Sequence, residues 1–197
     1  MKKITETIVL GLIFVTLLSG CGKQDNSSSP GTIVTDETQS VTNTETINST
    51  ENDKRTAKED AVMQTEDFSM PTRVIENGTK INMHFGDTVI PGILNDSETA
   101  KALIEKLPYT VHMNRYSHDF CGVMPDDLPY KDEEVHYGWL NGDIDYAIDA
   151  PYFTILHSDE ENSEQYGSQV NIGVMDCELS IIRELSGSYD VLIELAE

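Results

Sequence analysis

Five histidines, three cysteines and a set of closely spaced aspartates are the residues of this sequence with the most obvious chemical potential. His84, His112, His118, His136 and His157 are scattered, and His112 and His118 share no face on a simple strand or helix, so a shared imidazole metal site is not expected. Asp143-Ile144-Asp145 with Asp149 has the carboxylate density of a calcium loop. It lacks both the following glycine and the bidentate glutamate at the loop's last position, and reads as a solvated acidic turn. The stretch from Asp159 to Glu164 reads as a polar loop between strands. No Cys-x-x-Cys pair, nucleophile elbow, phosphate loop or dinucleotide fingerprint occurs, so the sequence calls for no metal and no cofactor and offers no catalytic centre. Tyr116, Trp139, Tyr146 and Tyr152 are candidates for a ligand cleft that would take a peptide or small molecule, and ordinary core packing explains them equally well.

One cysteine has a telling context. Lys2 and Lys3 precede an apolar run from Ile8 to Leu18, the layout of a secretory signal. The run is too short to span a membrane, which takes about 20 apolar residues. Leu18-Ser19-Gly20-Cys21 resembles the bacterial lipobox. That resemblance implies removal of residues 1–20, lipid attachment at Cys21 and a place on the outer face of a bacterial cell membrane, with the lipid bilayer as partner. Each buried methylene contributes about 0.8 kcal/mol, so two or three acyl chains hold firmly. Cys121 and Cys177 remain, either as a disulfide or as two reduced thiols.

Composition divides the rest. From Gly22 to about Met70 the chain is Ser, Thr, Asn, Asp and Glu with scarcely a large apolar residue, which predicts a disordered tether over residues 21–71 and one domain over residues 72–197. The tether's root-mean-square reach is on the order of 40 Å. The chain carries a formal net charge of −22 and the domain alone has 24 acidic against 7 basic residues, so no basic face exists for nucleic acid or an anionic membrane. Acidity of this kind keeps an exposed domain soluble.

The domain reads as mainly β. Asn77-Gly78 between Arg73-Val74-Ile75 and Lys80–Phe85 predicts a hairpin, and Pro91 within Thr88–Leu94 predicts an edge or a bulge. Asp96 or Ser97 is placed to cap a helix carrying Ala100, Leu103, Ile104 and Leu107 at helical spacing, with Pro108 ending it. Strands are expected over Tyr109–Tyr116, Asp143–Ile148, Tyr152–His157, Gln169–Met175 and Tyr189–Leu195, with a short helix within Cys177–Leu185.

The succession Ile93–Ala100, Leu107-Pro108-Tyr109, Met113–Tyr116 and Leu128-Pro129, followed by Asn141–Tyr146, Tyr152–Leu156 and Val170–Met175, resembles the bacterial cyclophilin-like-fold domains of small uncharacterised proteins and lipoproteins. The resemblance runs from about Thr79 to Glu197. It implies a closed β-barrel with about two short helices. The arginine of the Phe-His-Arg-Val-Ile motif used by true prolyl isomerases has no counterpart. Gly167-Ser168-Gln169 and Gly138–Gly142 resemble two further isomerase motifs but stand in reversed order. Two functions follow as expectations: a membrane-tethered, non-catalytic binding module, and, alternatively, a weak prolyl isomerase or foldase of the cell envelope.

Overall fold

The computed structural model describes residues 54–59 and 61–197; the expected signal segment, Cys21 and the polar stretch up to residue 53 lie outside the described residues. Nine strands and two short helices follow in chain order: β1 Thr79–Phe85, β2 Thr88–Leu94, α1 Glu98–Ile104, β3 Tyr109–Arg115, β4 Asp119–Val123, β5 Val135–His136, β6 Asp143–Ala147, β7 Tyr152–Leu156, β8 Gln169–Met175, α2 Leu179–Glu184 and β9 Ser188–Leu195. Eight of them close an antiparallel barrel in the order β1-β2-β8-β6-β7-β4-β3-β9, and β9 returns to β1. Closure leaves these strands without a long open edge.

The pleat sends alternate residues inward. Ile81, Met83 and Phe85 of β1, Val111 and Met113 of β3, Ile144 and Tyr146 of β6, Phe153 and Ile155 of β7, and Val191 and Ile193 of β9 meet in one core. Helices α1 and α2 add Ala100, Leu103, Leu179 and Ile182 to it. Each such aliphatic side chain contributes about 1.5–3 kcal/mol on full burial. Helix α1 is capped as its sequence indicates: the Ser97 hydroxyl accepts the Ala100 amide at 3.1 Å.

The structure differs from the sequence reading in four places. The first hairpin turns at Gly86-Asp87, between the paired Phe85 and Thr88, with Gly86 at φ +61°. Gly78 is needed for a different reason, since a Cβ there would lie 2.3 Å from the Leu94 carbonyl oxygen. Arg73 instead forms an antiparallel bridge with Met63. Strand β4 was not expected at all; five residues after a tight Ser117-His118 turn are too few for a clear alternation. Of the two states left open for Cys121 and Cys177, the structure has the free thiols, which burial pushes up to about 12 and about 11. Pro91 does stand just outside the β2–β8 ladder, which begins at Gly92.

The fourth difference is the largest. Residues 54–59 and 61–71, expected to continue the tether, pack on the barrel as a strap. The Tyr137 amide donates to the Arg55 carbonyl and the Ala57 amide to the Tyr137 carbonyl, both at 2.9 Å, so the strap adds a parallel bridge beside β5. Farther on, the Thr72 amide donates to Asn141 and the Leu179 amide to Ser69, each at 2.8 Å. Such a segment gains its order from backbone pairing and from small contacts such as buried Ala57 and Pro71, which a scan for large apolar residues overlooks.

Candidate functional site

Along β6 all of Asp143, Ile144, Asp145 and Tyr146 are buried, although only Ile144 and Tyr146 belong to the barrel core. Period two puts Asp143 and Asp145 together on the outward face. Both are nevertheless 0% exposed; Arg73, which also bonds the Ala57 carbonyl of the strap, lies against Asp143. The solvated acidic turn expected from Asp143-Ile144-Asp145 is therefore a buried acidic pair. The reason is tertiary: the arginine comes from a segment some seventy residues earlier in the chain.

Arg73 supplies the counter-charge. Its Nε and Nη2 donate to the two Asp143 oxygens at 2.7 and 2.9 Å, a bidentate pair, and Nη2 also donates to the Ala57 carbonyl at 3.2 Å. Burial opposes the guanidinium charge, but the attraction of Asp143, seconded by Asp145, more than offsets it and raises the basicity of Arg73. The Leu140 amide completes the shell of Asp143 at 2.9 Å. Asp145 has no such cation of its own. Burial first, and then the charge of Asp143, drive its carboxyl well above the usual carboxylate range, against the smaller pull of Arg73 and Asn171. One of its oxygens accepts from Asn171 Nδ2 at 2.9 Å; the other has no hydrogen-bond partner.

Asn171 holds this position because of an irregularity in the sheet. Ile144 pairs with Gly173 but Asp145 with Asn171, so Ile172 is an extra residue, a bulge that turns Asn171 toward Asp145. The outer edge of β8 is also divided: Gln169 and Val170 pair with β5, and Gly173–Met175 pair with β2. At the gap between those two partners, Asn95 Nδ2 donates to the Asn171 carbonyl at 2.8 Å, and Asn95 Oδ1 accepts the Ser97 amide at 3.0 Å. A polar chain thus runs from the cap of α1 through Asn95 and Asn171 to Asp145, two residues along β6 from the Asp143–Arg73 pair.

A cleft of about 320 Å³ opens over this chain, lined by Arg55, Thr56 and Ala57 of the strap, by Arg73, by Asn95 and Ser97, by Glu134 and His136, and by Asn171. His136 is 6% exposed, and burial lowers its imidazole to about 4, with Asp143 pulling upward and Arg73 downward, so it is neutral at physiological pH. Neutral imidazole, carboxamides and hydroxyls stand here beside the guanidinium groups of Arg55 and Arg73 and the carboxylates of Glu59, Asp96 and Glu134, a lining that suits a small polar molecule.

The four aromatics picked out from the sequence do not come together. Trp139 is 2% exposed, stacks on His118 at 4.8 Å and donates its indole N–H to the Ser158 carbonyl at 2.8 Å. Tyr146 is a core residue whose hydroxyl accepts the Leu128 amide at 3.1 Å. Tyr116 and Tyr152 are exposed at opposite ends of the β4–β7 ladder, which pairs Asp119 with Leu156 and Val123 with Tyr152. Amphipathic rings at these positions serve packing or surface, as their strand geometry requires. Of the histidines, His84 bonds Glu194, His112 bonds Asp190, and the His157 amide donates to the His118 carbonyl at 2.9 Å; among the described residues no three His, Cys, Asp or Glu side chains form a metal-binding group. What the sequence reading missed was Arg73, Asn95, His136 and Asn171. The available signal was two aspartates at period two on an otherwise apolar strand, Asp-Ile-Asp-Tyr, and an isolated arginine in a polar stretch.

The barrel, its closure and its helices are those of one class of small β-domain, and sequence comparison agrees. The chain belongs to the cyclophilin-like family, whose profile matches residues 83–194. A hypothetical protein from Archaeoglobus fulgidus, known from a solution structure, is similar with a TM-score of 0.49 and 14% identity, over 62% of this chain and 100% of its own. No curated protein matches the sequence.

Proposed function

We propose that this cyclophilin-like chain is a lipoprotein held through Cys21 on the outer face of a bacterial cell membrane, and that its barrel is a binding module rather than an isomerase. The observation that carries the reading is the engagement of every arginine of the chain. Arg55 donates to the Glu133 carbonyl, Arg73 is held by Asp143, Arg115 donates to the Ile182 and Leu185 carbonyls, and Arg183 donates to the His157 carbonyl. Clamping a twisted prolyl amide needs a donor aimed at the substrate, and these donors are aimed at the fold. The strap-walled cleft, with its neutral His136, Asn95 and Asn171, supports binding of a small polar ligand. The anchor rests on Leu18-Ser19-Gly20-Cys21. Labelled fatty acid is expected to enter the wild-type chain in cells and to be lost from Cys21→Ser; equal labelling of both would end the lipoprotein reading.

A further inference from the structure

A second cleft, of about 350 Å³, lies on the other side of Arg73, and its chemistry differs from the first. Pro71 of the strap and Val74 and Ile75 just after it line the cleft with Ile93 of β2 and Val174 of β8, so the walls are largely aliphatic. Two exposed carboxylates, Asp67 and Asp176, belong to the same lining. Among the described residues neither forms an ion pair, and the one cation of the lining, Arg73, is held by Asp143.

The wall needs no ligand to take shape. Gln64 Nε2 donates to the Asp67 and Pro71 carbonyls at 2.8 Å each, the Asp67 carboxylate accepts the Ser69 amide and hydroxyl at 3.0 and 2.6 Å, and the Val74 amide donates to Val62 at 2.8 Å. The Ser69 contacts hold the Asp67 carboxyl below the usual range and keep it ionised. A preformed apolar slot with fixed negative charge beside it matches an apolar body carrying one positive charge. The net charge of −22 raises the local concentration of such cations and disfavours a second copy of the chain or an anionic lipid as occupant.

We propose that this cleft binds amphiphilic organic cations: a primary ammonium on a short aromatic or aliphatic body. The proposal shares with the binding-module reading only the strap and Arg73, which line both clefts. Isomerase activity would overturn that reading and leave this one standing.

The test is calorimetric titration of the full chain carrying Cys21→Ser, which has no lipid to absorb the probe. The probes are 2-phenylethylamine and its neutral counterpart 2-phenylethanol at low salt. The amine is expected to bind about tenfold more tightly than the alcohol. Asp67→Asn with Asp176→Asn, both at exposed positions, is expected to weaken the amine by about fivefold and leave the alcohol unchanged. Ile75→Trp, which fills the slot, is expected to abolish binding of both. Equal affinity for amine and alcohol, an amine affinity indifferent to the double substitution, or no heat from the amine up to millimolar concentration would each overturn the proposal.

Discussion

Arg73 and Asp143 show how a buried charge is tolerated: each is the other's counter-ion, and the Ala57 carbonyl and Leu140 amide take up remaining hydrogen-bonding capacity. Removing one partner strands the other, which costs about 3–5 kcal/mol, whereas replacing both with apolar side chains of similar volume costs much less. Arg73→Met is therefore expected to lower the unfolding free energy by that amount, read as a lower urea midpoint at unchanged slope, and Arg73→Met with Asp143→Leu to recover most of it. A single variant as stable as wild type would show that the pair is not buried in solution. His136 and His157 make a second prediction. Burial lowers each to about 4; for His157 the charges of Arg115 and Arg183 and the neighbouring His118 act in the same direction, and the Asp119 backbone opposes. The unfolded value is about 6.5. Their stabilising contribution is thus present above about pH 6.5 and is lost as pH falls toward 4, because the unfolded chain takes up protons that the folded chain refuses. Urea midpoints measured from pH 7.5 to 4.5 are expected to fall, and less steeply in His157→Gln; a flat wild-type profile would contradict this. At this scale little of the site was legible in the sequence. Asp143 and Asp145 carry no mark of burial in their own neighbourhood, and the arginine that neutralises one of them lies far off in the chain, in a segment that reads as one arm of a local hairpin.

Elements were more legible than residues. Ser97 with Ala100, Leu103 and Pro108 marked α1 at both ends, and β3, β6, β7, β8 and β9 fell where period-two alternation or continuous apolar runs placed them. What escaped was short or unorthodox. Strand β5 has two residues, β4 five, and the strap has no periodicity because it is held by single backbone bridges. The Asn77-Gly78 dipeptide misled because glycine serves close approach as well as turns, and here the Leu94 carbonyl occupies the space of its missing side chain. The strap carries its own expectation. Limited proteolysis followed by mass spectrometry should leave a stable fragment that retains Arg55–Ala57, since those residues are bonded to Tyr137 on both sides. A core beginning near Thr72 would mean that the strap is not part of the fold.

At the scale of the molecule, the barrel is a stable frame on which a family can mount different sites, and the cyclophilin-like fold does not by itself confer isomerase chemistry. In this chain the outward face of β6 holds Asp143 against Arg73, the sheet edge at β8 is split between β2 and β5, and the arginines hold the structure together. Proposed anchoring at Cys21 would present this acidic domain to whatever diffuses along the envelope. The central claim, binding without isomerisation, is open to direct measurement. Uncatalysed prolyl isomerisation takes tens to hundreds of seconds at 25 °C, so even modest catalysis stands clear of background. A proline-peptide assay with the full Cys21→Ser chain is expected to show the uncatalysed rate at every protein concentration; a rate that rises in proportion to added protein would contradict the account.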